Sequence, residues 1–248
     1  MIEQRQRDSE SRGDQQRESS AQSKPPYQAL EVGAFTNFPQ SQLTDDMREN
    51  RPNIILASSS PRRADLLRNI GVDFEIIPAQ VVERPHPDEA PADYITRIAR
   101  AKVIAVARSR EEGLVIGADT VVVLNGILLG KPADTSDAAR MLRELSGNWH
   151  AVMTGVALYD VATRNEVADY EKTLVRFAQL TDDEIEWYVQ TGEPMDKAGA
   201  YGIQGYGGMF VDEIAGNYYN VVGLPIPLVY RLARRLGYSF LAADVSQP

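Results

Sequence analysis

From Asn53 onward, short apolar runs alternate with longer amphipathic stretches, and the alternation predicts strands and helices in turn. Ile54-Ile55-Leu56-Ala57 reads as a buried strand that stops at three serines, 58–60. Pro61 then opens a helix over 61–70, ended by Gly71; proline is tolerated there because the first helical N–H groups have no intrahelical partner. Residues 74–78 read as a second strand. The stretch 92–110 predicts a long amphipathic helix, with Tyr94, Ile98, Ala101, Val103 and Ala105 among its apolar positions. A buried strand follows over 114–118, then two short strands, 121–124 and 127–129, around the hairpin signal Asn125-Gly126. Residues 136–145 predict a helix, and 151–159 and 166–177 predict long strands joined by a polar turn. The helix over 182–191 carries Thr181 as N-cap and Glu184 to complete a capping box. Residues 198–208 are glycine-rich and irregular, 209–214 and 218–222 read as short strands, and 225–236 reads as a closing helix. Hairpins and crossovers in this order predict an α/β fold with a mixed central sheet flanked by helices.

The first fifty residues break this pattern. Met1 to Lys24 is dominated by Gln, Ser, Glu and Arg, and residues 25–50 hold a few aromatics (Tyr27, Phe35, Phe38) without periodicity. Such a stretch buries too little surface to offset its chain entropy. The expected organisation is a disordered extension over 1–50 and one domain over 51–240.

Composition narrows the chemistry. A hydrophobic content of 43% is enough for a real core, and no apolar run approaches the ~20 residues that span a bilayer. The N-terminus shows no apolar stretch of a secretory signal. With no cysteine, disulfides, thiolate metal sites and cysteine nucleophiles are excluded, and a reducing compartment fits. Only His86 and His150 are present, so a histidine-rich metal centre is excluded, and neither sits in a motif for a Ser-His-Asp triad. The net charge of -9 argues against nucleic-acid polymers, whose binding needs many phosphates neutralised. A local knot of cations still suits a small phosphorylated ligand.

Three stretches carry candidate chemistry. In Ser58-Ser59-Ser60-Pro61-Arg62-Arg63 a strand gives way to a polar turn and a helix start. Serine hydroxyls, the free N–H groups of the first helical turn and two fixed guanidinium forks make a phosphate-gripping loop. In Gly117-Ala118-Asp119-Thr120 a buried strand ends in an acid. That aspartate is either a turn residue or is paired with a metal, a cationic side chain or a helix N-terminus. The hairpin that follows returns Lys131 towards Asp119. In the third stretch, 196–205, glycines permit close backbone approach to a ligand, and Gln204 offers the donor and acceptor needed to read a base edge. An ordinary glycine-rich surface loop fits those residues equally. Glu83 and Lys102, taken alone, read as solvated charges.

These three stretches, in this order and at these intervals, resemble the Maf-type nucleoside triphosphate pyrophosphatases from about Asn53 to Tyr238. Leu145-Ser146-Gly147 and Val222-Gly223-Leu224-Pro225 match the family's wording as well. The resemblance implies an elongated fold of the Maf and inosine-triphosphate-pyrophosphatase type. It implies hydrolysis of a nucleoside triphosphate to the monophosphate and pyrophosphate, aided by a divalent cation, Mg or Mn. Asp119 inherits the role of general base. Ser58, Ser60, Arg63, Lys102 and Lys131 fall at phosphate-binding positions, and Glu83 with Asp119 at metal-binding ones. The acid that often precedes the family's glutamate is Val82 here, which leaves Glu83 and Asp119 as the pair. Arg62, Thr120 and Gln204 match the branch that prefers dTTP and UTP, in place of the tryptophan, glutamine and glutamate of the 7-methyl-GTP branch. The alternatives are a 7-methyl-GTP-type enzyme and a non-catalytic nucleotide-binding regulator of septum formation. The resemblance also implies a homodimer acting on free nucleotides, including noncanonical ones, and the composition and charge above predict a cytoplasmic setting without a membrane or nucleic-acid partner.

Overall fold

The computed structural model describes residues 53–240, so the extension expected over 1–50 lies outside the described residues. Among the described residues, no helix is long and apolar enough to cross a membrane.

The elements follow one another as β1 (Ile54–Leu56), α1 (Pro61–Asn69), β2 (Glu75–Ile76), α2 (Pro91–Ala107), β3 (Leu114–Leu124), β4 (Ile127–Leu129), α3 (Thr135–Leu145), β5 (Trp149–Asp160), β6 (Asn165–Phe177), α4 (Asp182–Gln190), β7 (Val211–Ala215), α5 (Tyr218–Val222) and α6 (Ile226–Arg235). Three short 3₁₀ turns, Glu193–Asp196, Ala198–Ala200 and Tyr206–Phe210, fill the glycine-rich stretch between α4 and β7. Seven strands form one mixed sheet in the order β2-β1-β3-β5-β6-β7, with β4 also on β3. Strand β1 runs parallel to β2 and β3, and the other pairs are antiparallel. This is the mixed α/β fold that the sequence pattern predicts.

Local signals produce local structure. Asn125 and Gly126 both take positive φ, 49° and 83°, and close the β3–β4 hairpin. Thr181 and Glu184 form the full capping box of α4.

Three expectations are corrected. The strand over 114–118 does not end before Asp119. It continues to Leu124, because β5 pairs with it without interruption from Leu114 to Val123. The stretch 218–222 is helix α5 and not a strand. Asn217 caps it, accepting from the Asn220 N–H, and Gly223 with φ 123° stops it after one turn. Its aromatic and β-branched residues favour strands, but the cap decides. Finally, the buried face of α2 is Tyr94, Ile95, Ile98, Ala99, Lys102, Val103, Val106 and Ala107, whereas Ala105 is exposed. Alanine sits comfortably on either face of a helix and marks neither.

Alternation along β3 sorts the core into two layers. Its odd positions face α2, whose Ile95, Ile98, Ala99 and Val103 pack with Val115, Val121 and Ala157. On the even side, α1 and α6 bring Leu67, Leu228 and Leu232 to Leu114 and Ile116. Further along the same side, α3 and α4 bring Leu142 and Ile185 to Val122 and Leu124. Thr120 lies where these two clusters meet. Helix α2 approaches the sheet closely because Gly155, the partner of Asp119 on β5, has no side chain. A Cβ there would stand 2.5 Å from the Ile95 carbonyl.

Candidate active site

The site arises from a gap in the sheet edge. Strand β1 pairs with β3 as far as Ile116, and β4 takes up the same edge only at Val122. Along residues 117–121 that edge of β3 has no strand beside it among the described residues. A cavity of about 540 Å³ opens there, lined by residues of all three candidate stretches together with Glu83, Lys102 and Lys131. The volume lies within the usual range for small-molecule sites. Asp119 and Thr120, being consecutive on a strand, point to opposite faces, and the gap lets both reach one cleft.

On the α2 side, charge is concentrated and buried. Lys102 and Asp119 are each 6% exposed. The Lys102 Nζ donates to Asp119 Oδ1 at 2.8 Å and to the Ala118 carbonyl at 3.3 Å, and lies 2.8 Å from Glu83 Oε1. All three donors of the ammonium thus have protein partners. The Asp119 and Glu83 carboxylates meet at one cation, and their field also reaches Tyr94. Burial first, then Asp119 and Glu83, pushes the Tyr94 phenol up to about 12.

On the opposite side Arg63 is the hub. Its Nε donates to the Gly223 carbonyl at 2.8 Å, Nη1 to Ser58 Oγ at 3.2 Å and Nη2 to Thr120 Oγ1 at 3.0 Å. Burial lowers its pKa, with Asp119 acting in the opposite sense. Thr120 in turn pairs with the Thr154 hydroxyl at 2.9 Å. The start of α1 is open to an anion: it has no acidic residue in its first turn, and Ser60 makes no side-chain cap. Ser58 Oγ accepts from the Ser60 N–H at 3.2 Å and keeps its own hydroxyl proton to donate.

The third stretch is fastened to the first. Arg62 Nη1 donates to Asp196 Oδ2 at 3.0 Å, and Lys197 Nζ donates to Asp196 Oδ1 at 2.7 Å. Burial alone would raise the Asp196 pKa, but these two cations hold it below the usual carboxylate value. Gln204 lines the cleft and is exposed, and its side chain makes no hydrogen bond among the described residues. Lys131, two residues past the end of β4, lines the cleft and is likewise without an ion pair among the described residues.

Every sequence-predicted site residue therefore lies on this one cavity: Ser58, Ser60, Arg62, Arg63, Glu83, Lys102, Asp119, Thr120, Lys131 and Gln204. Sequence reasoning passed over Tyr94, Asp196 and Glu193 as contributors. Asp196 stood inside a quoted stretch without a role, and Glu193 gave no signal beyond following the helix-ending Gly192. Neither of the two histidines lines the cavity. His86 is exposed, and His150 is packed against Phe177 with Nε2 2.8 Å from the Tyr201 hydroxyl, its pKa pushed down to about 4 by burial.

A sheet-edge cleft of this make-up, lined with phosphate-type donors beside a buried acid–lysine pair, marks an α/β protein suited to a small phosphorylated ligand. A family model described as "Maf-like protein" matches residues 53–236, and the chain belongs to that family. The dTTP/UTP pyrophosphatase of Pelotomaculum thermopropionicum is 50% identical over 188 residues, covering 76% of this chain and 98% of that protein. The dTTP/UTP pyrophosphatase of Bdellovibrio bacteriovorus is 51% identical over 187 residues, covering 73% of this chain and 97% of that protein. Among solved structures, the Staphylococcus aureus Ham1 protein aligns with a TM-score of 0.35 at 16% identity, over 51% of this chain and 72% of that one.

Proposed function

We propose that this chain hydrolyses dTTP and UTP between the α and β phosphates, releasing the nucleoside monophosphate and pyrophosphate. The observation that carries the reading is the meeting of three separate motifs on one cavity, tied together by Arg63–Thr120 and Arg62–Asp196. Half-identical relatives that bear the name dTTP/UTP pyrophosphatase support the substrate pair.

In this mechanism the triphosphate lies against the start of α1. Ser58, Ser60 and the unpaired N–H groups of the first helical turn receive phosphate oxygens. Arg63, which lines the cavity, has used three of its five donors on the protein and has two left to offer the same oxygens. Lys131, exposed and without an ion pair among the described residues, supplies further positive charge. Lys102, expected from sequence on a phosphate, has its three donors engaged and instead holds the Asp119 and Glu83 carboxylates in place. Asp119 removes a proton from a water as its oxygen attacks the α-phosphorus. The bond from that phosphorus to the bridging oxygen breaks, and its electron pair leaves with pyrophosphate.

The donor set also fits a divalent cation of the Mg or Mn type. Two hard carboxylates face one cleft, and such an ion takes one or two carboxylates and completes its shell with water and phosphate oxygens. Among the described residues, no group of three or more acids and histidines forms an all-protein cage, so the substrate itself would complete the site. When bound by Glu83 and Asp119, the ion would neutralise phosphate charge and lower the pKa of a bound water.

Arg62, Gln204 and Thr120 would set base preference. Arg62 and Gln204 present donors and an acceptor at the cleft mouth, and Thr120 fixes the floor through Arg63. Free nucleoside triphosphates as substrate support a cytoplasmic setting. The test is a panel of dTTP, UTP, CTP, ATP, GTP and 7-methyl-GTP with Mg²⁺ or Mn²⁺, assayed for pyrophosphate. Values of kcat/KM for dTTP and UTP at least about tenfold above those for ATP and GTP are expected, since a site built to hydrogen-bond one base leaves polar groups unpaired with another. Equal rates across the panel would contradict the assignment.

A further inference from the structure

We propose that Glu193 is a positioning residue that fixes the base-reading loop, and so governs affinity for the pyrimidine without taking part in phosphate binding. The proposal rests on the reading of Gln204 as a base contact.

Gln204 cannot orient itself. Its side chain is exposed and has no hydrogen-bond partner among the described residues, so its direction depends on the backbone that carries it. That backbone hangs on two side chains. Glu193 Oε2 accepts from the Tyr206 N–H at 2.9 Å, and Oε1 accepts from the Gly207 N–H at 3.2 Å. The same Oε1 accepts from the hydroxyl of the fully buried Tyr188 at 2.8 Å. The Tyr188 oxygen in turn accepts from the Gly202 N–H at 3.2 Å. Both ends of the 202–207 segment are therefore gripped, with Gln204 between them.

The fit is close and the charge is retained. A Cβ on Gly205 would collide with Glu193 Oε2, so the loop wraps the carboxylate with no room for a side chain. Burial alone would raise the Glu193 pKa, but the hydrogen bonds from Tyr188, Tyr206 and Gly207 outweigh it and keep the carboxylate ionised. Bonds to an ionised acceptor are the strong kind, and an unmet buried N–H is costly. A neutral amide at this position must turn a donor towards one of three donors. The loop would then shift, and small displacements of a positioning group carry large costs.

Contacts to the phosphate arm come from Ser58, Ser60, Arg63 and Lys131, none of which bonds Glu193. Base affinity and phosphate affinity should therefore separate. The experiment is steady-state kinetics on UTP for the wild type and Glu193→Gln, with inorganic tripolyphosphate as competitive inhibitor and thermal unfolding alongside. In Glu193→Gln the KM for UTP is expected to rise by about tenfold, the scale of one base-directed hydrogen bond lost when Gln204 is no longer held in place. The inhibition constant of tripolyphosphate is expected to stay within about twofold and kcat within about threefold, because no transition-state contact is removed. Tyr188→Phe, which deletes one of the three donors, is expected to show the same split with a smaller rise, and carries the test if Glu193→Gln does not fold. An unchanged KM, or a KM and an inhibition constant that climb together, overturns the proposal while leaving the enzymatic reading intact. A wild type that does not turn over UTP overturns both.

Discussion

Asp119→Asn is expected to lower turnover of UTP by at least ~100-fold in a protein that still folds, the scale on which a positioned general base contributes. The fold survives because the substitution leaves no orphan. Lys102 keeps Glu83 Oε1 at 2.8 Å and the Ala118 carbonyl at 3.3 Å, and the amide oxygen of asparagine still accepts from it. The backbone of residue 119 remains in the β3–β5 ladder opposite Gly155. The loss therefore falls on kcat, and circular dichroism with a melting curve close to wild type accompanies it. A well-folded variant with full activity would remove Asp119 from the mechanism.

Lys102→Met is expected to damage both folding and activity. Removing one member of a buried ion pair leaves the other charge without compensation, at a cost of about 3–5 kcal/mol. Here the two partners differ. The Glu83 side chain is 45% exposed and rehydrates when the lysine is lost, whereas Asp119 is 9% exposed and does not. The expected destabilisation is therefore about 3 kcal/mol, the low end of that range, read from urea unfolding. Turnover is expected to fall by at least ~100-fold as well, since Asp119, the proposed base, loses the group that orients it. Methionine preserves the apolar stem, which separates loss of charge from loss of packing. Stability unchanged in Lys102→Met would mean that the Lys102–Asp119 contact contributes nothing to the fold.

What was legible in the sequence was what depends on near neighbours. The Asn125-Gly126 turn, the Pro61 helix start and the Thr181–Glu184 box are set by residues within a few positions, and all three appear as expected. The continuity of β3 through Asp119 is set by β5, some thirty-five residues away, and small polar residues in mid-strand concealed it. Helix α5 turned on a single cap, Asn217, against the strand preference of Tyr218 to Val222. Lys102 was legible in principle. Positions 95, 98, 99, 102, 103 and 106 follow helical spacing, and a lysine on that stripe implies a buried partner. Weighting Ala101 and Ala105 blurred the stripe. Glu193 was not legible, because its partners meet only once the 202–207 segment has folded back over it.

The same geometry explains why the candidate site was easier to list than to interpret. Motif residues named the positions, and all of them share one cavity. Their partners then divided the work: Arg63 and Lys102 are spent mainly on holding other groups, while Ser58, Ser60, Lys131 and Gln204 face the cleft.

The central claim is that this cleft directs a water to the α-phosphorus of a pyrimidine nucleoside triphosphate. Hydrolysis of UTP in ¹⁸O-enriched water, followed by mass spectrometry of both products, tests it most directly. The account predicts one heavy oxygen in UMP and none in pyrophosphate. Label in pyrophosphate, or release of orthophosphate with UDP, would contradict it.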